Sequence, residues 1–198
     1  MERNKNGLVV AIVALAVVAV ASIGVAYAAF NRNLTIEPEA VVSPNAWKVN
    51  FKAGSLSSTK SDGATITGTP TLGLTSLTNL AVTFTEENDF VEFTFKVENT
   101  GVTNASLDAL SMPTASCEGA ATSPTDKSAD ETGVCAGFNY TLKYKAAPGN
   151  AVAVADTLNA STEKEVVLRM EYTGTFVPTD DVTVTIPSGI VMSYISTP

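Results

Sequence analysis

From residue 29 onward the chain is governed by alternation of apolar and polar positions, the period of a strand with one face buried. The clearest run is Phe90 to Asn99, FVEFTFKVEN. It places Val91, Phe93, Phe95 and Val97 on one face and Glu92, Thr94, Lys96 and Glu98 on the other. Val134 to Tyr144 reads the same way, with Phe138, Tyr140, Leu142 and Tyr144 alternating with Asn139, Thr141 and Lys143. So does Glu165 to Thr173, where Val166, Leu168, Met170 and Tyr172 share a face. Shorter strands are expected at Trp47–Phe51, Thr65–Thr69, Leu80–Thr85, Val182–Ile186 and Ile190–Ile195, with Trp47 packing beside Val49 and Phe51. Turn-forming clusters such as Ser61-Asp62-Gly63, Glu87-Asn88-Asp89, Pro148-Gly149-Asn150 and Pro187-Ser188-Gly189 separate them. No stretch after Ala29 carries an apolar stripe at helical spacing. The pattern predicts an all-β chain of about eight or nine strands, a single antiparallel β-sandwich of jelly-roll character over residues 38–198.

The first thirty residues follow another logic. A short charged start, ERNKN, precedes an apolar stretch from Leu8 to Val25 that only Ser22 and Gly24 interrupt. It ends in Ala26-Tyr27-Ala28, with small residues at the positions a signal peptidase reads. Residues 1–28 are therefore expected to be a signal peptide, cut between Ala28 and Ala29. Two other readings use the same segment: a retained membrane span, since eighteen apolar residues approach bilayer thickness, and a pilin cut at Gly7 that keeps the segment as a fibre core. Against a bacterial pilin, the fifth position after such a cut is Ile12 rather than glutamate; archaeal versions are looser.

The chain has 198 residues, enough for one domain with a real core. Its net charge is −8, and losing Glu2, Arg3 and Lys5 with a leader makes it −9. Such a surface repels nucleic acid and anionic lipid, so membrane contact is expected only during export. There is no histidine, which removes Ser-His-Asp and Cys-His centres and HExxH zinc sites. No catalytic residue, metal or cofactor is assigned, and the expectation is a non-enzyme; paired carboxylates are the one catalytic option left open. Cys117 and Cys135 in an exported chain predict a disulfide, closing what reads as a polar surface loop between two strands. The acidic clusters Glu86–Asp89, Asp126–Glu131 and Asp180-Asp181 read as solvated turns, since no calcium-loop pattern is present. Asn-x-Ser/Thr triplets stand at Asn33, Asn104, Asn139 and Asn159 and matter only in a host that glycosylates.

The junction Ala28-Ala29-Phe30-Asn31 after the hydrophobic leader resembles the mature start of the TasA/camelysin family of secreted biofilm-matrix proteins. Gly54-Ser55-Leu56 is similar to the Gly-Thr-Leu after that family's first strand. Asn88 to Leu107, NDFVEFTFKVENTGVTNASL, resembles its succession of turn, alternating strand, glycine and second strand. Glu171-Tyr172 and the DVTVTI strand resemble its closing strands. The resemblance implies a jelly-roll subunit that is secreted, processed and assembled into extracellular fibres, with itself as principal partner and other matrix proteins as accessories. It further implies that an N-terminal strand of one subunit completes the sheet of the next. The metalloprotease activity described for camelysins is not carried over to a chain without histidine.

Residues 29–37, AFNRNLTIE, have the pattern such a donor needs. Phe30, Leu34 and Ile36 lie on one face with Arg32, and the family's polymerisation residues map to those three. Pro38 then breaks the ladder. The same strand can instead belong to its own domain. Three other functions stay open: a monomeric binding or adhesion module using the 117–135 loop, a carboxylate hydrolase, and an archaeal-type pilin.

Overall fold

The computed structural model describes residues 48–146 and 149–197. These belong to one compact unit. In chain order the strands are β1 (Val49–Phe51), β2 (Ser57–Lys60), β3 (Ala64–Ile66), β4 (Thr71–Leu72), β5 (Ser76–Thr78), β6 (Leu80–Phe84) and β7 (Phe90–Asn99). They continue with β8 (Asn104–Ser111) and β9 (Ser116–Gly119), and then helix α1 (Pro124–Gly137) intervenes. β10 (Phe138–Tyr144), β11 (Thr157–Leu158), β12 (Thr162–Tyr172), β13 (Val182–Ile186) and β14 (Ile190–Thr197) complete the order.

Every paired strand is antiparallel, and the strands form three sheets. The first runs β1-β7-β12-β10, with β2 beside β7 on the same edge as β1. The second runs β3-β6-β13-β9, and the third β11-β8-β14-β5-β4. The all-β expectation holds. Strand β7 spans Phe90 to Asn99 as its alternation predicts, with Val91, Phe93, Phe95 and Val97 buried. Its register sets β12 opposite it, Phe93 facing Leu168 and Phe95 facing Val166.

One cluster of buried side chains draws on all three sheets. It joins Phe93, Phe95, Leu168 and Met170 of the first to Val82, Val184 and Ile186 of the second and Leu77, Leu107, Ile190 and Met192 of the third. Phe51 packs on Phe95 with ring centroids 4.8 Å apart. Phe84 of β6 reaches Phe138 of β10 and Tyr172 of β12 at 6.1 and 6.4 Å, so aromatic contact couples the first two sheets. At roughly 1.5–3 kcal/mol per fully buried large apolar side chain, this cluster is the principal favourable term. Buried Asn99 fixes the turn after β7: its Nδ2 donates to the Thr103 and Leu158 carbonyls, and its Oδ1 accepts from Gly101 N–H.

Two expectations are corrected. Residues 124–137 are helical, so Val134–Gly137 belong to the last turns of α1 and the strand begins at Phe138. The segment between the cysteines is accordingly mostly a helix rather than a loop between strands. Ser123 caps its start, accepting from Asp126 N–H at 3.5 Å, and Pro124 occupies its first turn. The described residues also hold fourteen strands rather than eight or nine. Most of the additional ones are short or polar: Ser57–Lys60 is exposed throughout, and Thr71–Leu72 and Thr157–Leu158 have two residues each; β8 is longer, but its burial alternates only at Ala105 and Leu107.

Candidate strand-pairing edges

An open sheet ends in strands whose outward N–H and C=O groups can pair with another chain unless something covers them. The outer strands of this protein differ in how far they are covered. On one side of the first sheet, residues 150–152 lie along the second half of β10. Tyr144 N–H donates to Asn150 O, Val152 N–H donates to Leu142 O, and Lys143 bridges Ala151. Beside the first half of β10, the Tyr140 hydroxyl donates to the Pro113 carbonyl. In the second sheet, β9 gives its Gly119 N–H to Glu131 Oε1 of α1 at 3.1 Å. The end strands of the third sheet, β11 and β4, have two residues each.

At the other end of the second sheet, β3 gives Ala64 N–H to Ser61 O and its Ala64 carbonyl accepts from Lys60 Nζ. Strand β2 is more open. Ser61 N–H donates to Phe90 O, which fixes the alternation of the β2–β7 ladder. Ser57 and Thr59 therefore face β7, and Ser58 and Lys60 direct their main-chain groups outward. Among the described residues no main-chain partner meets those groups. All four residues of β2 are exposed. Beside the strand lies a cleft of about 260 Å³ lined by Leu56, Ser57, Ser58, Ile66, Pro70 and Phe93. Lys60 Nζ crosses from β2 to the Ala64 carbonyl of β3 at one end of it. An extended segment paired with Ser58 and Lys60 would send alternate side chains into this largely apolar cleft.

The polar chemistry elsewhere is engaged in holding the fold. Asp89 and Asp130 are buried, and both carboxylates are filled by hydrogen bonds from turns. Glu163 accepts from Lys52 and Lys96, whose bonds hold its carboxyl down at about 2. Arg169 bridges Glu171 and Glu92 on the outer face of the first sheet and lies 4.0 Å from the centre of the Phe90 ring. A cleft of about 530 Å³ is lined by Tyr144, Lys145, Ala146, Asn150 and residues 163–165; burial pushes the Tyr144 hydroxyl up. Among the described residues no group of three or more acidic or cysteine side chains is arranged to hold a metal ion.

Cys117 and Cys135 are bonded, joining β9 to α1. Of the acidic clusters, Glu86–Asp89 is a turn around the buried Asp89, Asp126–Glu131 lies on α1, and Asp180-Asp181 follows a turn that Asp130 holds. Asn104, Asn139 and Asn159 are exposed, and the first two already bond to Ala160 N–H and Thr173 Oγ1. The cleavage residues Ala26, Ala28 and Ala29, the donor residues Phe30, Leu34 and Ile36, and Asn33 and Trp47 lie outside the described residues. Sequence reasoning passed over β2 and its cleft, because a polar strand at an edge carries no apolar alternation. No protein-family profile matches this chain, and no curated protein matches it.

Proposed function

We propose that this chain is a secreted structural subunit of extracellular fibres, a jelly-roll β-sandwich that polymerises by giving residues 29–37 to the β2 edge of the next copy. The observation that carries this reading is the β2 edge, whose outward groups no main-chain group among the described residues meets, with its apolar cleft. Phe30, Leu34 and Ile36, on one face of a strand with Arg32, supply the apolar side chains such a cleft takes.

Chain geometry supports a head-to-tail arrangement. The described chain starts at Lys48, whose carbonyl accepts from Thr100 N–H, and Val49 pairs with Asn99. Ser58 pairs with Phe93 on the same edge of β7. The two points are separated by about 20 Å at the rise of a strand. A donor attached at one end of an edge and an acceptor at the other make a heterologous contact, the kind that propagates as a filament when its rotation does not close a ring. Residues 38–47 reach about 33–36 Å when fully extended, enough to carry residues 29–37 to a neighbour. Removal of residues 1–28 would release the donor's N-terminus and so time assembly.

The test is the chain beginning at Ala29, viewed by negative-stain electron microscopy. Regular filaments that disappear when the chain begins at Pro38 are the expected result. Monodisperse globules at every concentration and pH would reject the reading in favour of a monomeric binding module.

A further inference from the structure

Strand β9 is an outer strand, yet helix α1 lies against it and takes one of its outward N–H groups. Ala120 N–H donates to Asp181 O, toward the β13 side. By antiparallel alternation Ser116 and Glu118 also face β13, and Cys117 and Gly119 face away from it. Helix α1 lies on that outward side, where Glu131 takes the Gly119 N–H.

Three attachments fix the helix there. The disulfide joins Cys117 of β9 to Cys135 in the last turn. Asp130, 1% exposed, accepts from Thr179 N–H at 2.9 Å, the Thr179 hydroxyl at 3.3 Å and Asp180 N–H at 3.3 Å. Gly133 gives room to the Phe176 ring, which a Cβ at that position would meet at 2.4 Å. Apolar packing has a small part, since Val134 is the only buried apolar side chain of α1. A helix tied to a strand edge by covalent and polar links, with so little core of its own, has the placement of an edge cover.

We infer that α1 and its disulfide keep the β9 edge from pairing with β9 of a second copy, and so leave strand addition to β2. The part concerning β2 rests on the proposed function; the cover on β9 does not. Uncovered, Cys117 and Gly119 would present their main-chain groups, and two such edges would pair antiparallel about a two-fold axis, giving a closed dimer rather than a fibre.

The test compares three exported chains, all carrying Ser58→Pro so that association through β2 does not contribute. One has no other change. The second adds Cys117→Ala, Cys135→Ala, Asp130→Ala and Glu131→Ala, removing the tethers. The third differs from the second only in Cys117→Pro, which takes away an outward N–H that β9 pairing needs. Sedimentation velocity over a concentration series, with circular dichroism, is expected to show that the second chain keeps its sheet signal, loses helical signal and dimerises. The third should sediment as the first does. A second chain that stays monomeric, keeps its helix docked, or dimerises as strongly with proline at 117 overturns the inference. Should the second chain unfold, Glu131→Ala alone is used: exchange of the Gly119 amide must rise tenfold or more, and an unchanged rate overturns the inference equally.

Discussion

Ser61 Oγ donates to Asp89 Oδ1 at 2.7 Å and accepts from Phe90 N–H at 3.0 Å, so a single hydroxyl ties the turn after β2 to the start of β7. The other carboxylate oxygen of Asp89 accepts from Glu86 N–H at 2.8 Å, Thr85 N–H at 3.2 Å and the Thr85 hydroxyl at 3.4 Å. One buried aspartate thus sets the register of the turn that opens the central strand and holds β2 at its end.

Replacing Asp89 by alanine leaves these donors without their acceptor and is expected to cost about 2–4 kcal/mol, read from urea unfolding. Burial pushes this carboxyl up, but the bonds from Ser61, Glu86 and Thr85 together outweigh it and hold it below its ordinary value of 3.8. Its contribution to stability is therefore complete above that ordinary value and is lost as pH falls through the lower folded one. The difference in stability between the parent and Asp89→Ala should shrink in that acid window, and a constant difference down to pH 2 would contradict the assignment.

The turn from β13 to β14 admits no side chain at Gly189. Its φ is +68°, and a Cβ there would lie 2.1 Å from the Leu77 carbonyl oxygen. Gly189→Ala is expected to lose on the order of 2–4 kcal/mol, combining left-handed strain with displacement of β5. Thermal unfolding checks it, with a fall in Tm of roughly 5–10 °C expected.

Ala155 presents the opposite case, an L-residue at φ +74° in the turn that Asp156 closes with a bond from Ala153 N–H. Ala155→Gly relieves the left-handed strain of about 1–2 kcal/mol and gives back part of it as unfolded-chain entropy. A net stabilisation of about 0.5–1 kcal/mol is expected, measured by the urea midpoint at unchanged slope.

The disulfide closes a segment with a sequence separation of 18 residues. Loop-closure entropy assigns it about 3 kcal/mol, so Cys117→Ala with Cys135→Ala should lower unfolding stability by that order. Helical circular dichroism should fall more than sheet signal, because α1 has little apolar burial to replace the lost link.

The core strands were legible for a physical reason. Phe90–Asn99 and Val182–Ile186 each bury one face, and burial of one face imposes alternation on the sequence. Helix α1 was missed because it has no apolar stripe: Asp130 and Val134 are its buried residues, and tethers hold it instead. Its start was nevertheless written locally, as Ser123-Pro124 with Asp126 in the first turn, a capping signal that apolar periodicity does not register. The edge strands were missed for a related reason. Ser57–Lys60 faces solvent throughout, so neither face demands apolar residues, and only pairing with β7 reveals it as a strand. Strands that bury one whole face announce themselves through it, whereas β8, which buries only Ala105 and Leu107, and the edges available to a partner carry no such mark.

The central claim, that β2 accepts the N-terminal strand of another copy, is tested most directly with Ser58→Pro in the chain that begins at Ala29. Proline removes one outward N–H and leaves the β7-facing groups of Ser57 and Thr59 in place, so the domain should fold with little change in Tm. Negative-stain electron microscopy of both chains at equal concentration is predicted to show filaments from the parent and dispersed particles from the variant. Filaments of equal number and length from Ser58→Pro, or no filaments from the parent, would contradict the account.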